Sequence, residues 1–396
     1  MPQSNLVGVV ESLKRGLQKG RKLPLIMTPI STLNTPGEVS RRPLANPKEQ
    51  EMAVFRIDPL RDQRWKALLE WHPDASIFHR VEWLQALKSA YGYTPFALTT
   101  SAPGSPLIDG LPVCEIRSPL TGHRFVSVPF SDHCQPLVSD PRAVNAFIHT
   151  LTECVTARRQ KYFEIRAITY DPNENMGLGI GHTYHLHRLD LRPSLETLFK
   201  HFDKSSVQRK IHRAERESLR YEEGSSERLL RCFYKLMIMT RRRHGLPPQP
   251  IKWFRVLIAS LGSDLKIRVA FQNDTAVASI LTIAYKKTLV YKYGCSDLRY
   301  SNLGGNTLVF WHAIQDAKSQ GIEELDMGRS DLDNQGLAVF KENWGAQRAS
   351  LNYRRYPAES ARPGPENLIK HVKSLVSIAP DISLVTLSNL FYRHIG

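Results

Sequence analysis

The sequence predicts a mixed α/β fold built as two similar halves, and three stretches carry that prediction. In the first, TLVYKYG (288–294) is β-branched, aromatic and alternating, which marks a strand. TLVFWHAIQDAKSQG then has helical spacing through Leu308, Trp311, Ala313, Ile314 and Ala317 and stops at Gly321, after which IEELDMG returns as a strand. Strand, helix and strand in so few residues predict a right-handed parallel βαβ unit. The second stretch, DLKIRVAFQN followed by AVASILTIAYKK, reads as a hairpin turning at Asn273 and Asp274. The third lies in the first half. There the helices DQRWKALLEWH and RVEWLQALKSAYG precede the strands FALTT, GLPVCEIRS and FVSVPF, the loop SDHCQPLVSD, a helix around AVNAFIHTLTECVTARR, and the strands KYFEIRAIT and TYHLHRLDL. Helices, an antiparallel meander and a later helix–strand return therefore occur twice.

The remaining elements fall around these. Gly177-Leu178-Gly179-Ile180-Gly181 reads as a loop, because a strand rather than a helix follows and the glycine spacing alone is no nucleotide signature. LETLFKHF predicts a helix, and SSVQRKIHRAERESL another, with Ser205 and Gln208 at capping-box spacing. Its apolar stripe is Val207, Ile211 and Ala214; Arg209, Arg213, Arg216 and Arg220 form a basic ridge on the other side, suited to phosphate or simply to water. The helix RLLRCFYKLMIMTRRRH is stopped by Gly245 and the prolines after it, and Arg241, Arg242, Arg243 and His244 suit its C-terminal end. These elements divide the chain into a flexible basic segment (1–50), a first domain (51–191), a second domain (192–358) and an amphipathic tail (359–396). Within the first segment, residues 5–19 have one apolar helical face ringed by lysine and arginine, which suits a membrane surface or a frayed terminus alike.

The chain has 396 residues, enough for two cores, and ordinary contents of apolar (41%) and charged (23%) residues. Its formal charge of +16 is not ordinary, and points to an anionic partner: a phosphorylated substrate, a nucleic acid or the inner face of a membrane. Five scattered cysteines without a CxxC pair argue against a disulfide framework, and each reads as a small core residue. His182, His185 and His187 fall on one strand face, and no metal is expected. Without an apolar run of the roughly 18 residues that a bilayer needs, or a signal core, a cytoplasmic location is expected. Directly after the second parallel strand come Arg329-Ser330-Asp331 and then GLAVFKENWG, and the C-terminal end of a parallel strand is where α/β proteins gather ligands.

The run from YKYGCSDLRYSNLGGN through ELDMGRSDLDNQGLAVFKENWG resembles the Fem-like acyltransferases of the GNAT superfamily. That group includes enzymes adding amino acids to peptidoglycan precursors and acetyltransferase-like proteins found near exopolysaccharide genes. SVQRKIHRAERESL resembles the basic helix of that family, FYKLMIMTRRRHGLPPQP its helix-then-proline segment, and VSVPFSDHCQPLV its Pro-x-x-Asp strand end. The likeness spans roughly 55–357 and keeps the family's order. It implies two tandem GNAT-like domains, each a mostly antiparallel mixed sheet with a central, splayed parallel pair, and a substrate cleft between the two. The donor then lies at the splay between TLVYKYG and EELDMG, with its phosphates at Gly304, Gly305 and Asn306, the start of the intervening helix. The family's Gln/Arg-x-x-Gly-x-Gly/Ala pattern is imperfect here, which leaves the donor open between acyl-coenzyme A (acetyl-coenzyme A in the simplest case) and an aminoacyl-tRNA.

The resemblance also assigns roles. Lys341, in a loop after Phe340, matches the lysine that steadies developing negative charge, and Phe340 the aromatic that holds the donor end. Asp132 matches the Pro-x-x-Asp carboxylate, as base or amine orienter. Asp326 and Arg329 close the second parallel strand as a substrate contact or a supporting ion pair. Tyr291 and Tyr293 alternate with Lys292, and Trp344 flanks the lysine. Arg209, Lys210 and Arg213, with Arg243 and His244, could hold the diphosphate of a nucleotide- or lipid-linked sugar. The tail LIKHVKSLVSIAPDISLVTLSNLFYRHIG either leans on the membrane or packs back on the second domain. The leading expectation is an envelope or exopolysaccharide acyltransferase working directly from donor to acceptor. The others are an aminoacyl-tRNA-dependent ligase building a peptidoglycan branch, and a non-enzymatic RNA-binding protein.

Overall fold

Short polar side chains set where the helices begin. The structure, a computed structural model, describes residues 52–158, 160–168, 177–358 and 381–396. Asp62 accepts from the Arg64 amide and starts α1 (Gln63–Trp71), while α2 (Val81–Tyr91) ends at Gly92 in the left-handed conformation. After α3 (Pro141–Arg158), Ser194 caps α4 (Leu195–His201). The next cap is Asp203, which accepts from the Ser206 amide at 2.6 Å and opens a π-helical turn (Lys204–Gln208) leading into α5 (Arg209–Arg216). This corrects the capping box read at Ser205 and Gln208, for Gln208 Nε2 donates to the Phe202 carbonyl instead. The basic ridge is also shorter than predicted. The helix ends at Arg216, Ser218 takes a φ of 53°, and Arg220 begins a strand. Ser226 caps α6 (Glu227–Arg243), and α7 (Ile251–Leu261), α8 (Gly305–Ser319), α9 (Gln335–Glu342) and α10 (Asp381–Ile395) follow.

The strands are β1 (Phe55–Ile57), β2 (Thr94–Thr99), β3 (Leu111–Ser118), β4 (Gly122–Val126), β5 (Tyr162–Ile165), β6 (Gly179–Asp190), β7 (Arg220–Gly224), β8 (Leu265–Gln272), β9 (Thr275–Tyr285), β10 (Thr288–Ser296), β11 (Glu324–Asp331) and β12 (Gln347–Tyr356). They form one twelve-stranded sheet in the order β1-β2-β3-β4-β5-β12-β6-β11-β10-β9-β8-β7. Each half holds one parallel pair, β4–β5 and β10–β11, among antiparallel neighbours. The hairpin at Asn273 and the βαβ unit are present as read. Gly179 to Gly181, read as loop, already belong to β6.

The halves are joined by strand exchange. β12, last in sequence, pairs with β5 through Arg354–Tyr356 and with β6 over most of its length, while β6 pairs with β11. Residues 179–190, which close the first half in sequence, thus sit within the second half of the sheet. One core, around Trp83, Phe233, Trp253 and Leu281, draws side chains from both halves, including Cys134, Val126 and Phe391. The opposite face carries two separate cores, one under α4, α5 and α8 and one under α3. The described end of the tail packs inward: the Tyr93 hydroxyl donates to the Tyr392 carbonyl, and Tyr392 to the Pro247 carbonyl. The segments at 1–50 and 359–380 lie outside the described residues.

Gly304 shows how tightly α8 is seated. Its φ is +82°, and a Cβ there would press into the Lys210 carbonyl oxygen of α5. Gly304→Ala is therefore expected to lower stability by about 2 kcal/mol, from left-handed strain plus the clash, in urea unfolding of the purified chain.

Candidate functional site

β10 and β11 stay in parallel register only from Thr288 opposite Glu324 to Val290 opposite Asp326. Beyond that point both strands bulge, β10 between Tyr291 and Tyr293 and β11 between Asp326 and Arg329, and they part. Because of the bulge, Tyr291, Lys292, Tyr293 and Gly294 all reach the opening, rather than alternate residues only. In β11 the turn is made by Gly328, whose φ is +69° and whose amide donates to Asp326 Oδ1 at 2.7 Å.

Lys341 closes this bulge. It was read in a loop; the structure corrects this to the last turn of α9, a helix capped by Asn334, which accepts from the Leu337 amide. The side chain is 1% exposed, and its ammonium donates to the Gly328 carbonyl (2.8 Å), the Arg329 carbonyl (3.1 Å) and Ser330 Oγ (2.9 Å). Burial among these neutral dipoles pulls its pKa down to about 8, against the attraction of Asp132 and Asp326.

From the other half comes residues 127–134, a loop held in an unusual path. Val128 and Phe130 both have φ of 59°, a conformation that side-chain-bearing residues avoid. Arg166 Nη1 donates to the carbonyls of Val128 and Ser131, and the Tyr353 hydroxyl to that of Asp132 at 2.7 Å. The loop thereby delivers two side chains to the parted strands. Asp132 Oδ2 accepts from Lys292 Nζ at 2.7 Å, and His133 Nε2 donates to Asp326 Oδ2 at 2.7 Å. Burial lowers the pKa of Lys292 despite Asp132 beside it. For Asp326, burial pushes upward but the hydrogen bond and charge of His133 outweigh it, holding the carboxyl at about 2.

Asp132, Lys292 and Lys341 border a cavity of about 730 Å³, the size of a small-molecule site. Its charged side chains are unbalanced: Arg166, Arg241, Lys292, Arg329, Lys341 and Arg355 face only Asp132 and Glu164. Glu164 is committed to Arg166 and Arg355, which outweigh its burial and hold it at about 2. A smaller cavity of about 290 Å³ lies at the start of α8, lined by Gly304, Gly305 and Asn306 together with Lys210 and Ser206. Phe340 and Gly336 line both cavities, so Phe340 stands at their junction.

The other predicted residues divide. Tyr291, Tyr293, Arg329 and His244 line the large cavity. Asp326 lines a different one, beside His133. Trp344 is wholly buried, with its ring 5.0 Å from Phe202 and 5.6 Å from Phe310, and serves the core. Arg209 is exposed, Arg213 lies 3.5 Å from Glu217, and Arg243 is exposed at the end of α6 with its neighbour Arg241 turned to the cavity instead. Sequence reasoning passed over Lys292, His133, Glu164, Arg166, Arg241 and Arg355. Lys292 did carry a signal, as a charged residue in the middle of an aromatic strand.

Residues 203–342 match the acetyltransferase (GNAT) domain family. Residues 203–342 thus carry a GNAT acetyltransferase domain, in a chain whose fold is Fem-like. The fold of FemX superposes with a TM-score of 0.59 at 14% identity, covering 76% of this chain and 97% of that one. A tandem GNAT protein from the clavulanic acid biosynthesis pathway superposes at 0.50 with 10% identity, over 77% and 99%. No curated protein matches the sequence. Among the described residues, no group of side chains could hold a metal ion and no helix is long and apolar enough to cross a membrane.

In this acyltransferase the Asp132–Lys292 pair, 14% and 7% exposed, is taken out of water by both halves together. Asp132→Ala is expected to cost about 3 kcal/mol by stranding a buried ammonium, and Asp132→Ala with Lys292→Met to recover most of that loss. Chemical denaturation of the four members of the cycle checks it.

Proposed function

We propose that this protein moves an acyl group, acetyl in the simplest case, from the thioester of an acyl-coenzyme A directly to an amine or hydroxyl of a cell-envelope or exopolysaccharide precursor. The observation that carries the reading is Lys341: a buried ammonium at the point where the parallel strands part, beside the junction of a small cavity and a large one. The small cavity suits the donor. The first amides of α8 carry no side-chain cap there, and a phosphate meets them favourably. The acyl end then passes Phe340 into the large cavity, which takes the acceptor.

The chemistry follows from the groups present. The acceptor nitrogen or oxygen attacks the thioester carbonyl carbon and the carbonyl oxygen becomes an oxyanion. Lys341 Nζ exchanges its contact with Ser330 Oγ for this oxygen, keeping its two backbone acceptors as a fixed mount. Asp132, braced by Lys292, orients the attacking group and takes its proton. The C–S bond breaks, the thiolate leaves with that proton, and no bond to the enzyme forms.

An aminoacyl-tRNA donor would use the same carbonyl chemistry. It is favoured by the FemX-like fold, by the exposed Lys210 lining the small cavity, and by the charge of +16. In either case the precursor can be phosphorylated or lipid-linked, with the enzyme resting on the inner face of the plasma membrane. Incubating the chain with acetyl-coenzyme A or with charged tRNA, each with amine acceptors, separates the donors: release of free thiol supports the first, deacylation of tRNA the second.

Lys341→Ala is expected to lower kcat by about a hundred- to a thousandfold with the donor still bound. The pH profile has a definite sign. Only the ammonium carries the charge that steadies an oxyanion, so kcat should fall as pH rises through about 8, and Lys341→Arg, which keeps its charge, should lose that limb. Stability moves the other way. The folded pKa is lowered from 10.5, so between about 8 and 10.5 the unfolded chain binds more protons at this site and the lysine's contribution rises with pH.

A further inference from the structure

Each buried cation of the large cavity can be followed to its partner. Arg166 and Arg355 share Glu164, Lys292 has Asp132, and Lys341 is spent on the β11 bulge. Arg329 is different. Its guanidinium carbon lies 4.1 Å from the ring centre of Tyr184 and 5.1 Å from that of Tyr353, and among the described residues its side chain makes no hydrogen bond or ion pair. Arg241, at the end of α6, also lines the cavity without a side-chain hydrogen bond or ion pair among the described residues. Both are only partly exposed, and a guanidinium shielded from water without an acceptor carries a cost that a folded protein normally removes by pairing.

We propose that the large cavity recognises its acceptor by an anionic group, a carboxylate or a phosphate, taken in the guanidinium fork of Arg329 with Arg241 as the second cation. Tyr184 and Tyr353 lie against the guanidinium of Arg329 without taking its N–H groups, which stay free to bind such oxygens bidentately. Arg329 follows Gly328, whose carbonyl holds Lys341, so an anion seated there brings the rest of the acceptor to the attacking position. The substrate class is therefore an amine or hydroxyl compound that carries a carboxylate or phosphate. This rests on reading the large cavity as the acceptor chamber.

The test is calorimetric titration of the full chain with inorganic phosphate and with acetate at constant ionic strength, with and without coenzyme A. Saturable binding of at least one anion, persisting with coenzyme A present, is expected. It should weaken at least tenfold in Arg329→Gln and in Arg241→Gln, and Arg329→Lys should restore part of it. The preferred anion identifies the acceptor's group. Thermal midpoints of the glutamine variants should stay level or rise, because an uncompensated charge has been removed. The proposal is overturned by absence of saturable binding, by binding indifferent to both variants, or by displacement of the anion by coenzyme A. A midpoint several degrees lower in Arg329→Gln would overturn it too, making the stack structural. Acetyl-coenzyme A binding and thiol release are read separately, so failure of acyl transfer and failure of anion recognition stay distinct.

Discussion

The site depends on the parting of two parallel strands after Val290 and Asp326. Parallel pairing that ran on would have buried this ground under ladder hydrogen bonds. Because it stops, the bulge at Gly328 can turn, and the absence of a side chain there lets the other half approach: a Cβ would lie 3.3 Å from Asp132 Oδ2. Two contacts then close the seam, Asp132 with Lys292 and His133 with Asp326, each joining the first half to one of the two parted strands. Either partner alone would be a buried group without its counterpart. The divergence of the strands and the docking of the halves are one event.

The two buried lysines show how environment separates residues of one type. Lys292 faces a carboxylate at 2.7 Å and is held as half of a pair. Lys341 faces two carbonyls and a hydroxyl, which satisfy its donors without cancelling its charge, and burial brings it to about 8. Charge that is hydrogen-bonded but not neutralised is what a transient oxyanion needs, and under the proposed chemistry this fixed mount would need little reorganisation. Had a carboxylate replaced Ser330, the same lysine would be more stable and of less use.

Much of the scaffold was legible because it obeys local rules. The βαβ unit of 288–328, the hairpin at Asn273 and the helix ending at Gly245 follow from periodicity and turn chemistry, and the structure has all three. Strand exchange was not legible, since nothing in β12 itself says that its partners are β5 and β6, strands from before residue 191. The site was readable in part for the same reason. Lys341, Phe340 and Asp132 stood in motifs whose order matched a family, but Lys292, His133 and Arg166 act only through partners far away in sequence. Arg241 and Arg243 sit two apart in one basic run, and only packing decides that the first faces the cavity. The helix at 335–342 was missed because Gly336 reads as a turn, while the cap by Asn334 and the burial of Ala338 and Lys341 hold it helical.

The same geometry divides the work between backbone and side chains. The small cavity is shaped by glycine conformation and helix amides, features that tolerate few substitutions, as the contact between Gly304 and α5 illustrates. The large cavity is lined by long side chains, Arg241, Arg329, Tyr184 and Tyr353 among them, standing on strands and helices. Exchanging those tips changes what is recognised without disturbing the sheet beneath. β12 stitches β5 to β6, so the large cavity is framed by one continuous sheet. The unbalanced set of cations around it, Arg166, Arg241, Lys292, Arg329, Lys341 and Arg355 against Asp132 and Glu164, is a feature of side chains laid on that frame, and it is there that selectivity is to be sought.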